Sequence, residues 1–233
     1  MSRRLARKRY EATALGNGIP KEVLGECWRL YSSLNPIEEG PKQAGDLAHA
    51  YRNARRLAPA FEASLAGLQG LAHGRCESRP TGVKPLERMV EKYLLHDLVP
   101  LDILACKCVQ PTLRDVYSTA AAVERTFQVV AFKDRFVEPQ GTTGYRDLQF
   151  VVDAGGGHLA EVKVVHEILD ALDEFEHKLY EIHRAPPFNS SPGTRDDLRE
   201  ELATLVNEGI VRLSRELYNE AWRRVLSHES SAW

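Results

Sequence analysis

Phe132-Lys133-Asp134-Arg135-Phe136, Gly144-Tyr145-Arg146-Asp147-Leu148-Gln149 and Glu161-Val162-Lys163 are the stretches on which the fold turns. They read as three neighbouring strands, because successive strand residues point to opposite faces. From Tyr145 onward, Tyr145, Asp147 and Gln149 share one face, while Arg146, Leu148, Phe150 and Val152 share the other. Glu161 and Lys163 point one way and Ala160, Val162 and Val164 the other. Between them, Asp153-Ala154-Gly155-Gly156-Gly157 suits a hairpin. Folded back antiparallel, the strands would line up Tyr145, Asp147, Gln149, Glu161 and Lys163 on one surface. Charged and aromatic groups on one side of a sheet suit a phosphate-handling nucleotide site. A solvated sheet face in a two-layer domain has the same pattern, and alternation alone does not separate the two.

Outward from these strands, the segments alternate. Residues 1–18 are basic and then Gly/Asn-rich, and read as a flexible tail; its run Arg3-Arg4-Leu5-Ala6-Arg7-Lys8-Arg9 suits an acidic partner or plain solvation. Residues 19–73 form a helical region, with one helix after Pro20 and a second from Lys42 to Leu71, where Pro59 is placed to kink it. Gly74 to Gly82 is turn-rich, and Lys84 to Leu95 is a helix opened near Pro85. Leu101 to Val109 reads as a strand containing Asp102, Leu113 to Phe127 as a helix and Gln128 to Phe136 as a strand. That order suggests a crossover unit and a partly parallel sheet. After the hairpin come a helix from His166 to His183, a loop over Pro186 to Gly193, and a last amphipathic helix within 194–228 that closes the domain or docks a second copy. The expected architecture is a single α+β domain, with a mixed sheet of about five strands flanked by helices and helical extensions at both ends.

Composition narrows the function classes. The chain has 233 residues and a formal net charge of −2, which argues against a general nucleic-acid coat. Cys27, Cys76, Cys106 and Cys108 lack paired metal spacing, and buried free thiols are the default expectation, as in a reducing cytosol. No apolar run is long enough to cross a membrane, and no signal-peptide stretch opens the chain.

The order Lys84-x7-Lys92, Asp102-Ile-Leu-Ala-Cys-Lys107, Phe132-Lys133-Asp134-Arg135, Gly144-Tyr145-Arg146-Asp147-Leu148 and Glu161-Val162-Lys163 resembles the RelA/SpoT-type alarmone synthetase domain over residues 74–185, and Glu176-His177-x-x-Tyr180 is similar to an element of its next helix. The resemblance implies a nucleotidyltransferase-like fold and a pyrophosphokinase, in which magnesium-bound ATP gives its β,γ-diphosphate to a ribose 3′-hydroxyl and AMP leaves. It implies that Asp102 and Glu161 are catalytic metal carboxylates, oxygen ligands suited to a hard divalent cation. It implies ATP and phosphate binding by Lys84, Arg88, Lys92, Lys107, Lys133 and Arg135, with Lys84, Arg88 and Lys92 on one helical face. It places the acceptor at Tyr145, as a base platform, with Arg146, Gln149, Lys163 and His177. By alternation Asp134 faces away from Lys133 and Arg135, and so suits a structural acceptor role.

Departures from the family pattern fall in both half-sites. Gly82 stands where an Arg precedes the first Lys, and Arg79 takes its place only if the loop rearranges. Arg88 stands for a Ser, Lys107 for an Arg that stacks on adenine, Gln149 for a His and Lys163 for a Gln. Strict alternation would also put Asp102 and Lys107 on opposite faces. The pattern is nearer a toxin-like or effector-like branch than the housekeeping enzymes. The acceptor stays open between a guanine nucleotide, an adenine nucleotide and the 3′ end of tRNA. Implied partners are those nucleotides, a second copy of the chain, or a cognate antitoxin or immunity protein, in the cytoplasm or after export. The alternative is a catalytically silent member that binds a nucleotide or a protein.

Overall fold

The computed structural model describes residues 3–34, 41–184 and 196–232, with the side chains of 174, 177, 180–184, 196–203, 231 and 232 outside the description. The His177 side chain and the expected 186–193 loop therefore lie outside the description. The chain divides into two compact units: Met1–Glu138 with Asp147–Glu167, and Pro139–Arg146 with Ile168–Trp233.

The first unit is built on a five-stranded mixed sheet. Its strands are β1 (Arg75–Ser78), β2 (Ala105–Gln110), β3 (Gln128–Asp134), β4 (Leu148–Asp153) and β5 (Leu159–His166), in the spatial order β1-β2-β5-β4-β3. Only β2 and β5 pair in parallel; the other neighbours are antiparallel. The expected crossover exists, but β2 and β3 are not neighbours, because the β4–β5 hairpin occupies the space between them. Gly155, Gly156 and Gly157 all have positive φ in that hairpin, and Asp153 Oδ1 accepts the Gly155 and Gly157 amides at 2.7 and 3.1 Å. Glycine is the residue that takes this backbone without steric cost.

The described residues form seven α-helices: α1 (Arg3–Gly16), α2 (Leu24–Ser33), α3 (Leu47–Gln69), α4 (Leu86–His96), α5 (Leu113–Thr126), α6 (Glu167–Arg184) and α7 (Asp196–Ala232). Helix α3 is capped by Asp46, whose side chain accepts the His49 amide at 2.7 Å, and Pro59 sits inside it. Thr112 caps α5 in the same way through the Asp115 amide. Helix α5 packs on β2, β3 and β5. It buries Val116, Tyr117, Ala120 and Val123, while the sheet buries Cys106, Cys108, Phe132, Phe150, Val162 and Val164. Those sheet residues share one pleat face.

Three expectations are corrected. Residues 3–16 are helical, not a flexible tail, because Tyr10 and Ala14, one turn apart, are buried. Tyr10 stacks on Tyr31 with ring centres 4.4 Å apart and lies 5.8 Å from Trp28, so the basic residues decorate a helix anchored by its apolar side. The turn-rich segment after Gly74 contains a strand, β1, at the sheet edge. Cys76 and Cys108 face each other across β1 and β2 and form a disulfide, whereas Cys27 and Cys106 are free and buried.

Just before β1, Gly74 is held tightly. Its amide donates to Gln110 Oε1 at 2.9 Å, and a Cβ at this position would sit 1.9 Å from the Val109 carbonyl oxygen. Gly74→Ala is therefore expected to cost at least about 2 kcal/mol, as other backbone-incompatible core substitutions do. Urea denaturation checks this, and an unchanged midpoint would contradict it.

The second unit joins the 139–146 segment to α6 and α7. The Tyr218 hydroxyl donates toward Asp173 and Glu176, each at 3.4 Å, and Arg215 donates to the carbonyls of Gly141 and Thr142. No described helix is long and apolar enough to cross a membrane.

Candidate active site

Asp102 is not a strand residue. It lies in a short 3₁₀ turn over Leu101–Ile103, immediately ahead of β2. That turn removes the difficulty of Asp102 and Lys107 on opposite strand faces, since the alternation begins only at Ala105. The Asp102 carboxylate collects three cations on one oxygen: Lys84 Nζ at 2.6 Å, Lys92 Nζ at 3.0 Å and Arg79 at 3.1 Å from Oδ2. Among the described residues nothing donates to Oδ1. Burial pushes the Asp102 carboxyl up, but Lys92 and Lys84 outweigh it and hold the pKa at about 2. Lys84 is pushed below its ordinary range by its own burial, which Asp102 opposes.

Lys84 and Lys92 reach this carboxylate from either end of one short stretch. Lys84 precedes α4, with its amide on the Ile103 carbonyl at 2.8 Å, and Lys92 is in the second turn of the helix. Arg88, expected beside them, pairs with Glu91 at 2.9 Å on the exposed side of α4. The convergent third cation is instead Arg79. Arg79 is the residue that the sequence offers in place of the Arg missing at Gly82, and the turn over Pro80 and Thr81 is what brings it to Asp102.

Glu161 is on β5, opposite Ala105 in the parallel pair. The turn that holds Asp102 packs beside the same strand, and the Glu161 amide donates to the Leu104 carbonyl at 3.0 Å. Glu161, Lys163 and Gln149 do share one face as alternation requires, with Gln149 opposite Lys163 and Val151 opposite Glu161. The row continues to Lys107 on one side and Lys133 on the other, so a strip of polar side chains crosses four strands.

Gln149 fixes the Glu161 carboxylate. Its side-chain amide donates to Glu161 Oε2, while its carbonyl oxygen accepts from Arg135 at 2.7 Å. Arg135 lies just past β3 and also donates to the fully buried Asp147 at 2.6 Å. Arg135 oriented by Asp147 on one side defines which end of the Gln149 amide faces Glu161. Lys163 Nζ stands 3.7 Å from the other oxygen, Oε1. This Asp147–Arg135–Gln149–Glu161 chain was not foreseen, because it joins residues that sequence reading assigned to separate half-sites.

Asp102 and Glu161 each keep one carboxylate oxygen that no close hydrogen bond engages. Two such oxygens from adjacent segments are the donor type a magnesium ion takes.

Tyr145 and Arg146 precede β4 rather than forming part of it, so the expected alternation from Tyr145 fails. Gly144 has φ +77° and turns the chain there. Both residues belong to the second unit, where Tyr145 meets Tyr218 edge-on at 5.4 Å and the Arg146 guanidinium lies 4.3 Å from the Trp222 ring centre.

No protein-family model matches the sequence, and no curated protein matches it significantly. Solved structures do match. The type VI effector Tas1, crystallised in complex with its immunity protein, is 19% identical with a TM-score of 0.51, over 76% of this chain and 96% of its own. A GTP pyrophosphokinase family protein from Streptococcus pneumoniae is 15% identical (TM-score 0.49, 73% and 95% coverage). Small alarmone synthetase 2 from Bacillus subtilis is 18% identical (TM-score 0.47, 79% and 96%). The fold of this chain is thus the RelA/SpoT-like α+β fold, as the motif order implied.

Proposed function

We propose that this chain is an ATP-dependent pyrophosphokinase that moves the β,γ-diphosphate of ATP to a ribose 3′-hydroxyl. The observation that carries this reading is the convergence of Arg79, Lys84 and Lys92 on Asp102, beside the strand that presents Glu161. Three cations against one carboxylate leave a formal excess of two positive charges, which suits a polyphosphate. In the reaction the acceptor 3′-oxygen forms a bond to the β-phosphorus, the bond from the bridging oxygen to that phosphorus breaks, and AMP leaves. Phosphoryl chemistry of this kind needs positioning and charge stabilisation more than covalent help.

Asp102 and Glu161 are the residues that would hold magnesium, which would supply charge neutralisation at the phosphates. Glu161 is also the group to take the proton from the attacking hydroxyl, since Gln149 leaves one of its oxygens without a direct hydrogen bond. Lys107, Lys133 and Lys163 line the same sheet face and suit the remaining phosphate charge. Gln149 and Lys163 are assigned to the acceptor side. The Cys76–Cys108 disulfide supports a protein that meets an oxidising compartment, and with it an exported effector with a cognate immunity partner.

The test is purified protein with magnesium, ATP labelled on the γ-phosphate, and GDP, GTP, ADP, ATP or bulk tRNA as acceptor. The expected result is AMP released in step with label transferred to one acceptor class. Nucleotide binding without AMP from any acceptor would favour a silent binding protein instead.

A further inference from the structure

Arg79 is held in place far more firmly than a surface arginine needs. Its carbonyl accepts the Gly82 amide at 2.8 Å, closing a turn over Pro80 and Thr81, and the Thr81 hydroxyl donates to the Val83 carbonyl at 2.6 Å. Gly82 has φ +70°, and a Cβ there would lie 3.3 Å from a Glu62 carboxylate oxygen. A side chain at 82 is thus disfavoured by backbone and neighbour alike. Upstream, β1 is tied to β2 by the Cys76–Cys108 link and to α3 by Gln69, which donates to the Gly74 carbonyl at 2.8 Å and accepts the Cys76 amide. Downstream, the Lys84 amide is fixed to Ile103. The turn therefore delivers Arg79 and Lys84, from its two ends, to the same carboxylate.

Asp102 uses little of what the guanidinium offers. One terminal nitrogen, Nη2, serves both the Asp102 carbonyl at 3.2 Å and Oδ2 at 3.1 Å. The Arg79 Nε is buried and has no hydrogen-bond partner among the described residues. A buried donor left unsatisfied is costly, and in a native site it needs an explanation such as a ligand. A planar fork with spare donors matches a phosphate, whose oxygens accept from guanidinium groups bidentately.

We infer that Arg79 is a polyphosphate-binding residue: its guanidinium, together with Lys84 and Lys92, grips the distal phosphates of a nucleoside triphosphate. The inference rests on the nucleotide site proposed above and gives Arg79 a phosphate-binding role in it, from a position displaced by the turn that Gly82 permits. A purely structural Arg79 would instead brace Asp102 and show no preference for phosphate number.

Calorimetry with a methylene-bridged, non-hydrolysable ATP analogue and with AMP, in magnesium, separates these roles. Arg79→Ala is expected to weaken the triphosphate analogue at least tenfold and AMP by less than threefold. Arg79→Lys, which keeps charge and loses the fork, is expected to fall between wild type and alanine, and it covers the case in which the alanine variant is poorly folded. Loss of affinity for both ligands in equal proportion, or unchanged triphosphate affinity, would overturn the inference while leaving the nucleotide site intact. If the wild type binds neither ligand, the inference and the proposed function fall together; if Lys84→Ala loses the analogue and Arg79→Ala and Arg79→Lys do not, only the role of Arg79 falls.

Discussion

Glu161→Gln is expected to lower AMP release by roughly a thousandfold, within the range for removing a general base or metal carboxylate, while the protein still folds and still binds ATP. Folding survives because the substitution is isosteric and Glu161 is a half-buried strand residue whose backbone pairing in β5 is unaffected. Gln149 retains a partner, since the new side-chain carbonyl accepts the hydrogen bond that Oε2 accepts now. Binding survives because the Arg79, Lys84 and Lys92 cluster is organised by Asp102, and among the described residues none of the three hydrogen-bonds to Glu161. What is lost is one negative charge and one proton acceptor; Asp102 would still hold magnesium on the bound ATP, so the loss is felt mainly as the 3′-oxygen attacks. The expected signature is therefore a fall in kcat with little change in ATP affinity. Single-turnover AMP formation measures it. A variant that keeps more than a tenth of the wild-type rate would remove Glu161 from the chemistry and leave the polar strip a solvated sheet face.

The sheet was legible where the period of two survives folding. Gln149, Glu161 and Lys163 share a face because the β4–β5 hairpin closes in the register that alternation implies, with glycines supplying the positive φ it needs. Legibility ended where a turn replaces a strand. Alternation treats Asp102 and Tyr145 as strand residues, but one is in a 3₁₀ turn and the other in a loop, so neither obeys strand parity. Strand pairing order was also out of reach. Nothing local says that the hairpin inserts between β2 and β3, or that Cys76 meets Cys108 across 32 residues. Arg88 illustrates the limit of helical spacing. Lys84 lies before α4 begins, so a spacing of four did not place the three cations on one face. In their stead Arg79 reaches Asp102 through a turn whose geometry depends on a left-handed glycine.

Asp134→Ala is expected to destabilise the first unit by roughly 3–5 kcal/mol, the scale of removing one partner of a buried charged network. The wild-type carboxylate accepts four donors: the hydroxyls of Tyr10 and Tyr117 at 3.1 and 3.0 Å on Oδ2, and the amides of Phe136 and Val137 at 3.0 and 3.1 Å on Oδ1. Those partners tie α1 and α5 to the turn after β3, so alanine would strand four donors at once and loosen α1. Burial raises the Asp134 carboxyl to about 6, against the pull of its hydrogen bonds. Because its folded pKa lies above the unfolded value of 3.8, the folded state binds the proton more readily. Its contribution is then most favourable below about pH 4 and is lost as the pH rises through 6, a swing of about 3 kcal/mol by linkage. The protonated carboxyl remains satisfied because a tyrosine hydroxyl can turn to accept from it. The penalty of Asp134→Ala should accordingly grow as the pH is lowered from 7.5 to 5. Urea unfolding of both proteins across that range measures the difference. A penalty that shrinks on acidification would mean that the tyrosine and amide donors, not burial, dominate this carboxylate, and that α1 is anchored by a charge rather than by a shared proton.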